Sequence, residues 1–280
     1  MRVHAIQTGT VAVRQSQREG SGPGPLRPLR PMLGGEWTEP LPILAWAIEH
    51  PEGVVVVDTG ETARTGEPGY FPGWHPYFRR AVRFDVSPED EIGPRLRAAG
   101  IEPGDVRRVV LTHLHTDHAG GLSHFPSSEI LVTRTEYEGA AGAAGKLRGY
   151  LPHRWPEWFE PQLVELDPEP YGPFAGSRAV TADGAVRIVP TPGHTPGHVS
   201  VIVEDGDTAL FLAGDTSYTQ DLMLRGAIDG VSPDVRAARA TLERIGELVR
   251  DRRVVYLPTH DPESAERLER RSPAPSSVSG

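Results

Sequence analysis

Residues 112–121 read Thr-His-Leu-His-Thr-Asp-His-Ala-Gly-Gly, so His113, His115, Asp117 and His118 put three imidazoles and a carboxylate into six residues. A packed core has no use for so much nitrogen and charge in one turn, because every polar group it buries without a partner costs free energy. A divalent metal supplies the partner, since neutral imidazole and carboxylate are donors that zinc and similar ions accept. The spacing divides the cluster in two. His113 and His115, two apart, can be aimed at one ion by a short extended turn, and Asp117 and His118 can turn toward a second.

The remaining donors are found downstream in a repeated pattern, a β-rich apolar run ending in a candidate ligand. Val109-Val110-Leu111 precedes His113, and Val186 to Val189 precedes Thr191-Pro192-Gly193-His194. Ala209 to Ala213 precedes Gly214-Asp215, and Val254 to Leu257 precedes Pro258-Thr259-His260. Strand ends are rigid platforms of the kind a metal site needs. Four of them converging at one rim would present seven ligands. The other histidines lack this context: His4, His50, His75, His124 and His153 read as surface or core residues, and His198 as a support for the turn that carries His194.

These residues resemble the metallo-β-lactamase superfamily. The order H-x-H-x-D-H, then Gly-His in a proline-rich turn, then Gly-Asp, then a late His is that family's dinuclear pattern, and Asp58-Thr59-Gly60 after Val54 to Val57 fits its early strand-to-loop signature. The resemblance runs from about Val3 to about Leu268. It implies an αββα sandwich (α/β, α+β) of two mixed sheets face to face, helices outside and the site at one edge. It further implies that His113, His115 and His194 hold one ion, that Asp117, His118 and His260 hold the other, and that Asp215 bridges them. Zinc is the expected metal, with cobalt, manganese and iron accepted by the same donors.

Composition bounds the rest. The 280 residues carry a net charge of −9, which argues against nucleic acid or an anionic membrane as a partner across the surface. With no cysteine there are no disulfides and no thiolate ligands. The N-terminus lacks a long apolar segment and no run approaches a membrane span, so a cytoplasmic enzyme is expected. Residues 1–271 are expected to form one domain, with a disordered Pro/Ser-rich tail at 272–280.

Local signals place the elements. Ser87-Pro88-Glu89-Asp90 predicts a helix from a Ser cap to about Ala99, stopped by Gly100. Ser232-Pro233-Asp234 predicts a second one ending near Arg250. Two stretches fall outside this scaffold. Residues 14–35 contain Gly22-Pro23-Gly24-Pro25 and are expected to be an irregular loop, near the site or at a subunit contact such as a homodimer's. Residues 140–160 contain Leu151-Pro152-His153-Arg154-Trp155-Pro156-Glu157-Trp158-Phe159 and suggest a lid or an apolar pocket wall, with ordinary packing of an insertion as the alternative.

What such a site cleaves depends on residues beside the metal. Tyr218 follows Asp215 by three, and a phenol there could donate to a developing oxyanion. In Asp215-Thr216-Ser217-Tyr218 the chain resembles the quorum-quenching N-acyl-homoserine lactonases of the superfamily. So it does in Ala119-Gly120-Gly121 and in Thr133-Arg134-Thr135-Glu136-Tyr137-Glu138. The resemblance implies a small-molecule lactone substrate, attack by a hydroxide shared between the two ions, and Asp117 carrying a proton to the leaving alkoxide. Thr116 departs from the large residue usual in those lactonases, which widens or polarises the substrate floor. The alternatives are another carbonyl hydrolase, either a thioesterase of the glyoxalase II type or a β-lactamase, and a non-catalytic metal- or lactone-binding module.

Overall fold

The run Val54–Val57 is a strand buried on both faces, which is why it shows no polar alternation. Val55 and Val57 point into one core with Leu44, Trp46 and Ile48, while Val56 points into another with Ala45 and Ala47. The period-two assignment of side chains thus creates two apolar layers on either side of one sheet.

A computed structural model describes residues 1–20 and 26–276. Its first sheet contains β1 (Arg2–Val13), β2 (Leu41–Glu49), β3 (Val54–Val57), β4 (Val82–Asp85), β5 (Val106–Val110), β6 (Glu129–Thr133) and β7 (Gln162–Val164), in the order β4-β1-β2-β3-β5-β6-β7. The second contains β8 (Arg178–Ala179), β9 (Val186–Pro190), β10 (Val199–Asp205), β11 (Thr208–Gly214) and β12 (Arg253–Pro258), in the order β12-β11-β10-β9-β8. Both are mixed: β3, β5, β6 and β7 run parallel, as do β11 and β12, and the other pairs are antiparallel.

The core between the sheets joins Trp46, Val55 and Val110 to Ile188, Val201, Leu212 and Leu257. Outside the first sheet, the helix Ile92–Ala98 buries Ile92 and Leu96 against Val56 and Val109. Outside the second, the helix Val235–Asp251 buries Leu242, Ile245 and Val249 against Phe211 and Tyr256. The arrangement is the expected αββα sandwich. Among the described residues no helix is long and apolar enough to cross a membrane.

Several elements differ from expectation for identifiable reasons. The segment after Ser87 is not one helix. Ser87 and Asp90 form a capping box over a 3-10 turn, Pro88–Asp90, but Glu91 is extended and the α-helix starts at Ile92. The break lets the Glu91 carboxylate accept from Thr62 Oγ1 at 2.8 Å and the Ala63 amide at 2.9 Å, tying the helix to the loop after β3. Gly100 stops it at φ +83°, as its position implies. In the second helix the cap is Asp234, which accepts from the Ala237 amide at 2.9 Å, and the Ser232 hydroxyl bonds Asp229 instead.

The stretch 14–35 is not wholly irregular: Gln15–Arg18 is an α-helical turn and Arg27–Leu33 a 3-10 helix, while Gly22-Pro23-Gly24-Pro25 lies outside the described residues. Of the tail expected to be disordered, Ala274 is buried and its amide donates to Val254 O at 2.7 Å, and residues 277–280 lie outside the described residues.

Candidate metal centre

Each donor sits just beyond a strand. His113 follows β5, His194 follows β9, Asp215 follows β11 and His260 follows β12, and all four ends lie at one edge of the sandwich. Parallel pairing of β11 with β12 puts Asp215 and His260 side by side. Gly214 permits the turn. It adopts φ +57°, and a Cβ there would stand 2.7 Å from His198 Nε2, which is needed to accept the Asp215 amide at 3.0 Å.

The geometry brings the seven candidates together. His113 Nε2 and His194 Nε2 each lie 3.0 Å from His115 Nδ1. Three ring nitrogens this close cannot all be satisfied by one another, since each pair has room for one proton. Nitrogens bound to one tetrahedral zinc at its usual bond length stand roughly 3.3 Å apart, so the trio suits an ion. Asp215 spans both halves: Oδ2 is 3.5 Å from His194 Nε2, while Oδ1 is 3.3 Å from His118 Nε2 and 3.4 Å from His260 Nε2. Asp117 Oδ2 completes the second group 3.5 Å from His260 Nε2. His118 Nε2 and Asp215 Oδ1 are buried without a hydrogen-bond partner, and they face each other. Orphaned donors converging on one point are what a divalent ion would satisfy.

The opposite ring nitrogens are anchored. His118 Nδ1 donates to Asp58 Oδ2 at 2.8 Å. The same oxygen accepts from Thr112 Oγ1 at 2.9 Å, so that hydroxyl is left to accept from His113 Nδ1 at 3.1 Å. His194 Nδ1 donates to Asp229 Oδ2 at 3.3 Å, and His260 Nδ1 to Pro42 O at 2.9 Å. Each partner fixes a tautomer with its other lone pair aimed inward. Asp58 carries strain to do this, with φ +60° on a residue that is not glycine.

Protonation follows the same layout. Burial, together with neighbouring His118, holds His113 well below the usual imidazole range, and burial with His194 does the same to His115. Burial also opposes charge on His118, but Asp215 and Asp58 outweigh it and raise that imidazole well above its ordinary value. Asp215 is the reciprocal case: burial pushes it up, and His260 and His118 hold it well below. The raised imidazole and the depressed carboxylate mark a pocket that favours positive charge, which a divalent cation would supply.

Beside the candidate ligands lies a cavity of about 430 Å³. His115, Asp117, Asp215, His260 and Tyr218 line its inner end, and Val11, Val13, Phe78, Val82 and Phe84 its apolar wall. Tyr218 stacks on His260 with ring centroids 5.5 Å apart. Gln17 Nε2 donates to Tyr218 Oη and to Tyr77 Oη, each at 2.9 Å. Thr116 also lines the cavity, with its hydroxyl donating to Glu61 Oε1 at 3.1 Å. The aromatic run at 155–159 is not a cavity wall: Trp155 and Phe159 pack with Tyr137 in the helix-side core, and Leu147 to Tyr150 face the cavity instead.

The family model of the metallo-β-lactamase superfamily matches residues 38–260. The chain belongs to that superfamily. The N-acyl homoserine lactonase AiiA of Bacillus thuringiensis subsp. kurstaki is 31% identical over 225 residues, covering 79% of this chain and 82% of that protein. A probable metallo-hydrolase of Mycobacterium tuberculosis is 35% identical over 187 residues, and the match spans only 57% of that protein's length and 65% of this chain. Among solved structures, an N-acyl homoserine lactone hydrolase with N-hexanoyl-L-homoserine bound at its catalytic metal centre superposes with a TM-score of 0.75 at 26% identity, covering 94% of each chain.

Several supporting residues escaped sequence reasoning. Asp229 is one, with nothing in its surroundings to distinguish it from a turn aspartate. Glu136 is another: its carboxylate accepts from the Leu114 amide at 3.0 Å, Thr195 Oγ1 at 2.6 Å and Tyr150 Oη at 3.0 Å, joining the loops of His113 and His194. Its signal was the match of Thr133 to Glu138 with the lactonases, which carried no role. His198 supports its turn as expected, bonded to Thr191 Oγ1 and the Asp215 amide, and burial lowers it to about 3.

Proposed function

We propose that this protein hydrolyses lactones, opening the ring of N-acyl-homoserine lactones or close relatives, with two divalent cations held by His113, His115, His194, Asp117, His118, His260 and Asp215. The observation that carries the reading is Tyr218, a phenol beside the ligand cluster at the inner end of an apolar cavity. The likeness to named lactonases supports the substrate class. Two such ions would polarise the substrate carbonyl and supply a nucleophilic water at neutral pH.

The chain's own residues do the rest. Burial holds the Tyr218 phenol well above its ordinary pKa, so it stays a donor. Its oxygen accepts from Gln17, which leaves its own proton for the substrate carbonyl as negative charge develops there. Asp117 lines the same cavity and carries the proton to the ring oxygen as the C–O bond breaks. Val13, Phe78 and Phe84 offer the acyl chain an apolar bed. Thr116 presents a small polar surface at the floor.

The test is hydrolysis of acyl-homoserine lactones, simple lactones, a thioester, a chromogenic β-lactam and a phosphodiester by metal-loaded and chelated protein. Lactone opening that is lost on chelation and restored by metal is expected. Tyr218→Phe should lose roughly 10- to 1000-fold in turnover with metal content unchanged. Cleavage of the thioester or β-lactam with lactones untouched would overturn the substrate class, and full activity in Tyr218→Phe would overturn the role of the phenol.

A further inference from the structure

The net charge of −9 is unevenly distributed. Residues 26–35, 68–84 and 139–156 contain eight Arg and Lys residues and no Asp or Glu, leaving 21 cations against 38 acids elsewhere. These three segments meet in space. Leu29 and Met32 of the first, His75 and Phe78 of the second, and Leu147 and Arg148 of the third line the same cavity. His75 Nε2 donates to Leu147 O at 3.3 Å, holding the second and third together at the mouth.

The same segments expose apolar surface. Of the seven large apolar side chains exposed among the described residues, Leu26, Leu29, Leu33, Trp74 and Leu147 belong to them. Leu33 is 82% exposed, Leu147 71% and Trp74 59%, values that no folding benefit explains. Beside them Arg79, Arg80, Lys146 and Arg148 are exposed, and none pairs with a carboxylate among the described residues. Tryptophan and leucine interleaved with cations is the composition of a surface that rests in the headgroup region of an anionic bilayer.

From this we infer that the mouth of the cavity docks on an anionic lipid bilayer. The basic rim matches the headgroup charge, and Trp74, Leu33 and Leu147 enter the interface. The position of the cavity favours lipid over a protein partner. A protein seated on this face would close the cavity, whereas a bilayer delivers an acyl chain directly into it. That link to substrate rests on the lactonase reading, while the docking itself rests on charge and exposure alone. Whole-chain charge argued against an anionic surface, and the segregation reverses that argument at this face.

The experiment is co-sedimentation of the full chain with vesicles of phosphatidylglycerol and phosphatidylcholine in equal parts, against vesicles of phosphatidylcholine alone, at low and high salt. Binding to the anionic vesicles that weakens with salt is expected. Each cation at such a surface is worth roughly a fivefold gain in partition, so Arg79→Glu with Arg80→Glu should lose at least about 20-fold. Arg250→Glu with Arg253→Glu, in the last turn of the helix Val235–Asp251 and at the start of β12, should change it little. Trp74→Ser should weaken binding and abolish a blue shift of the wild-type fluorescence on vesicles. Neither arginine pair lines the cavity, so turnover of a short-chain soluble substrate should be unchanged in both, which also reports folding. No binding at low salt, equal binding to neutral vesicles, or equal losses in the two charge variants would overturn the proposal. So would a dimer in sedimentation velocity that Trp74→Ser splits, because it would assign the face to a second copy. Failure of every hydrolysis assay with vesicle binding intact would instead reject the lactonase reading alone.

Discussion

Replacing Asp58 by Asn should cost metal affinity without unfolding the protein, and the reason is a proton rather than a contact. Asp58 Oδ1 accepts from the Thr112 amide at 2.8 Å, and a backbone N–H cannot reverse its role. In Asp58→Asn the side-chain oxygen therefore stays there, and the NH2 group faces Thr112 Oγ1 and His118 Nδ1, which lie 2.9 and 2.8 Å from Oδ2 in the native chain. Donor then meets donor. His118 must take the other tautomer, with its proton on Nε2, the atom that faces Asp215. Thr112 Oγ1 now accepts from the amide and turns its own proton toward His113 Nδ1, so His113 switches as well. Ligands from both halves of the site lose their inward lone pairs. Loss of such an orienting carboxylate typically costs 10- to 100-fold in metal affinity, about 1.4 to 2.7 kcal/mol. Asn tolerates the positive φ of position 58, so backbone strain is not the cause. The assay is competition against a chromogenic zinc chelator, with circular dichroism to confirm the fold. Two equivalents of zinc bound with native affinity by Asp58→Asn would refute the tautomer argument.

Asp229→Asn applies the same logic to the half that includes His194: Oδ1 is held by the Val231 and Ser232 amides at 2.8 and 2.6 Å, so the new NH2 faces His194 Nδ1. Chelator competition should show a loss of similar size confined to one equivalent. Gly214→Ala forces a Cβ to 2.7 Å from His198 Nε2 at φ +57°, and thermal melts should show a loss of about 1–3 kcal/mol together with reduced metal content. Glu61 is buried, and burial raises its pKa to about 8 from an unfolded value of 4.5. The unfolded chain therefore releases this proton above 4.5 while the folded chain keeps it to about 8, so stability falls as pH rises through that window. Glu61→Gln should flatten that part of the stability profile, and a denaturation midpoint that falls as steeply as wild type between those values would refute the assignment.

The candidate ligands were legible because their signal is chemical and local. Imidazoles two residues apart, and single donors placed just after apolar runs, mark themselves without knowledge of the partner strand. The strands were legible for a related reason: burial on both faces writes Val54–Val57 and Ala209–Ala213 as unbroken apolar runs. The misjudged elements turn on where one polar side chain goes. Ser232 was expected to cap a helix and instead bonds Asp229, which in turn orients His194. Glu91 was expected inside a helix and instead breaks it to hold the loop after β3.

The residues that orient the ligands were the least legible part of the site, and the cause is separation along the chain. Asp58 reaches His118 across 60 positions, Asp229 reaches His194 across 35, and Gln17 reaches Tyr218 across 201. No periodicity or spacing encodes such a pairing, because it exists only once the chain has folded and brought the two loops together. Summed composition is blind in the same way. A charge of −9 summed over the chain describes no surface, and only the fold brings 26–35, 68–84 and 139–156 to one mouth. A site of this kind is therefore written twice, once locally in its donors and once non-locally in the groups that fix their protons. The non-local layer decides whether seven donors bind metal or bind one another's protons, so single-atom exchanges such as Asp58→Asn test the site more sharply than deletion of a ligand.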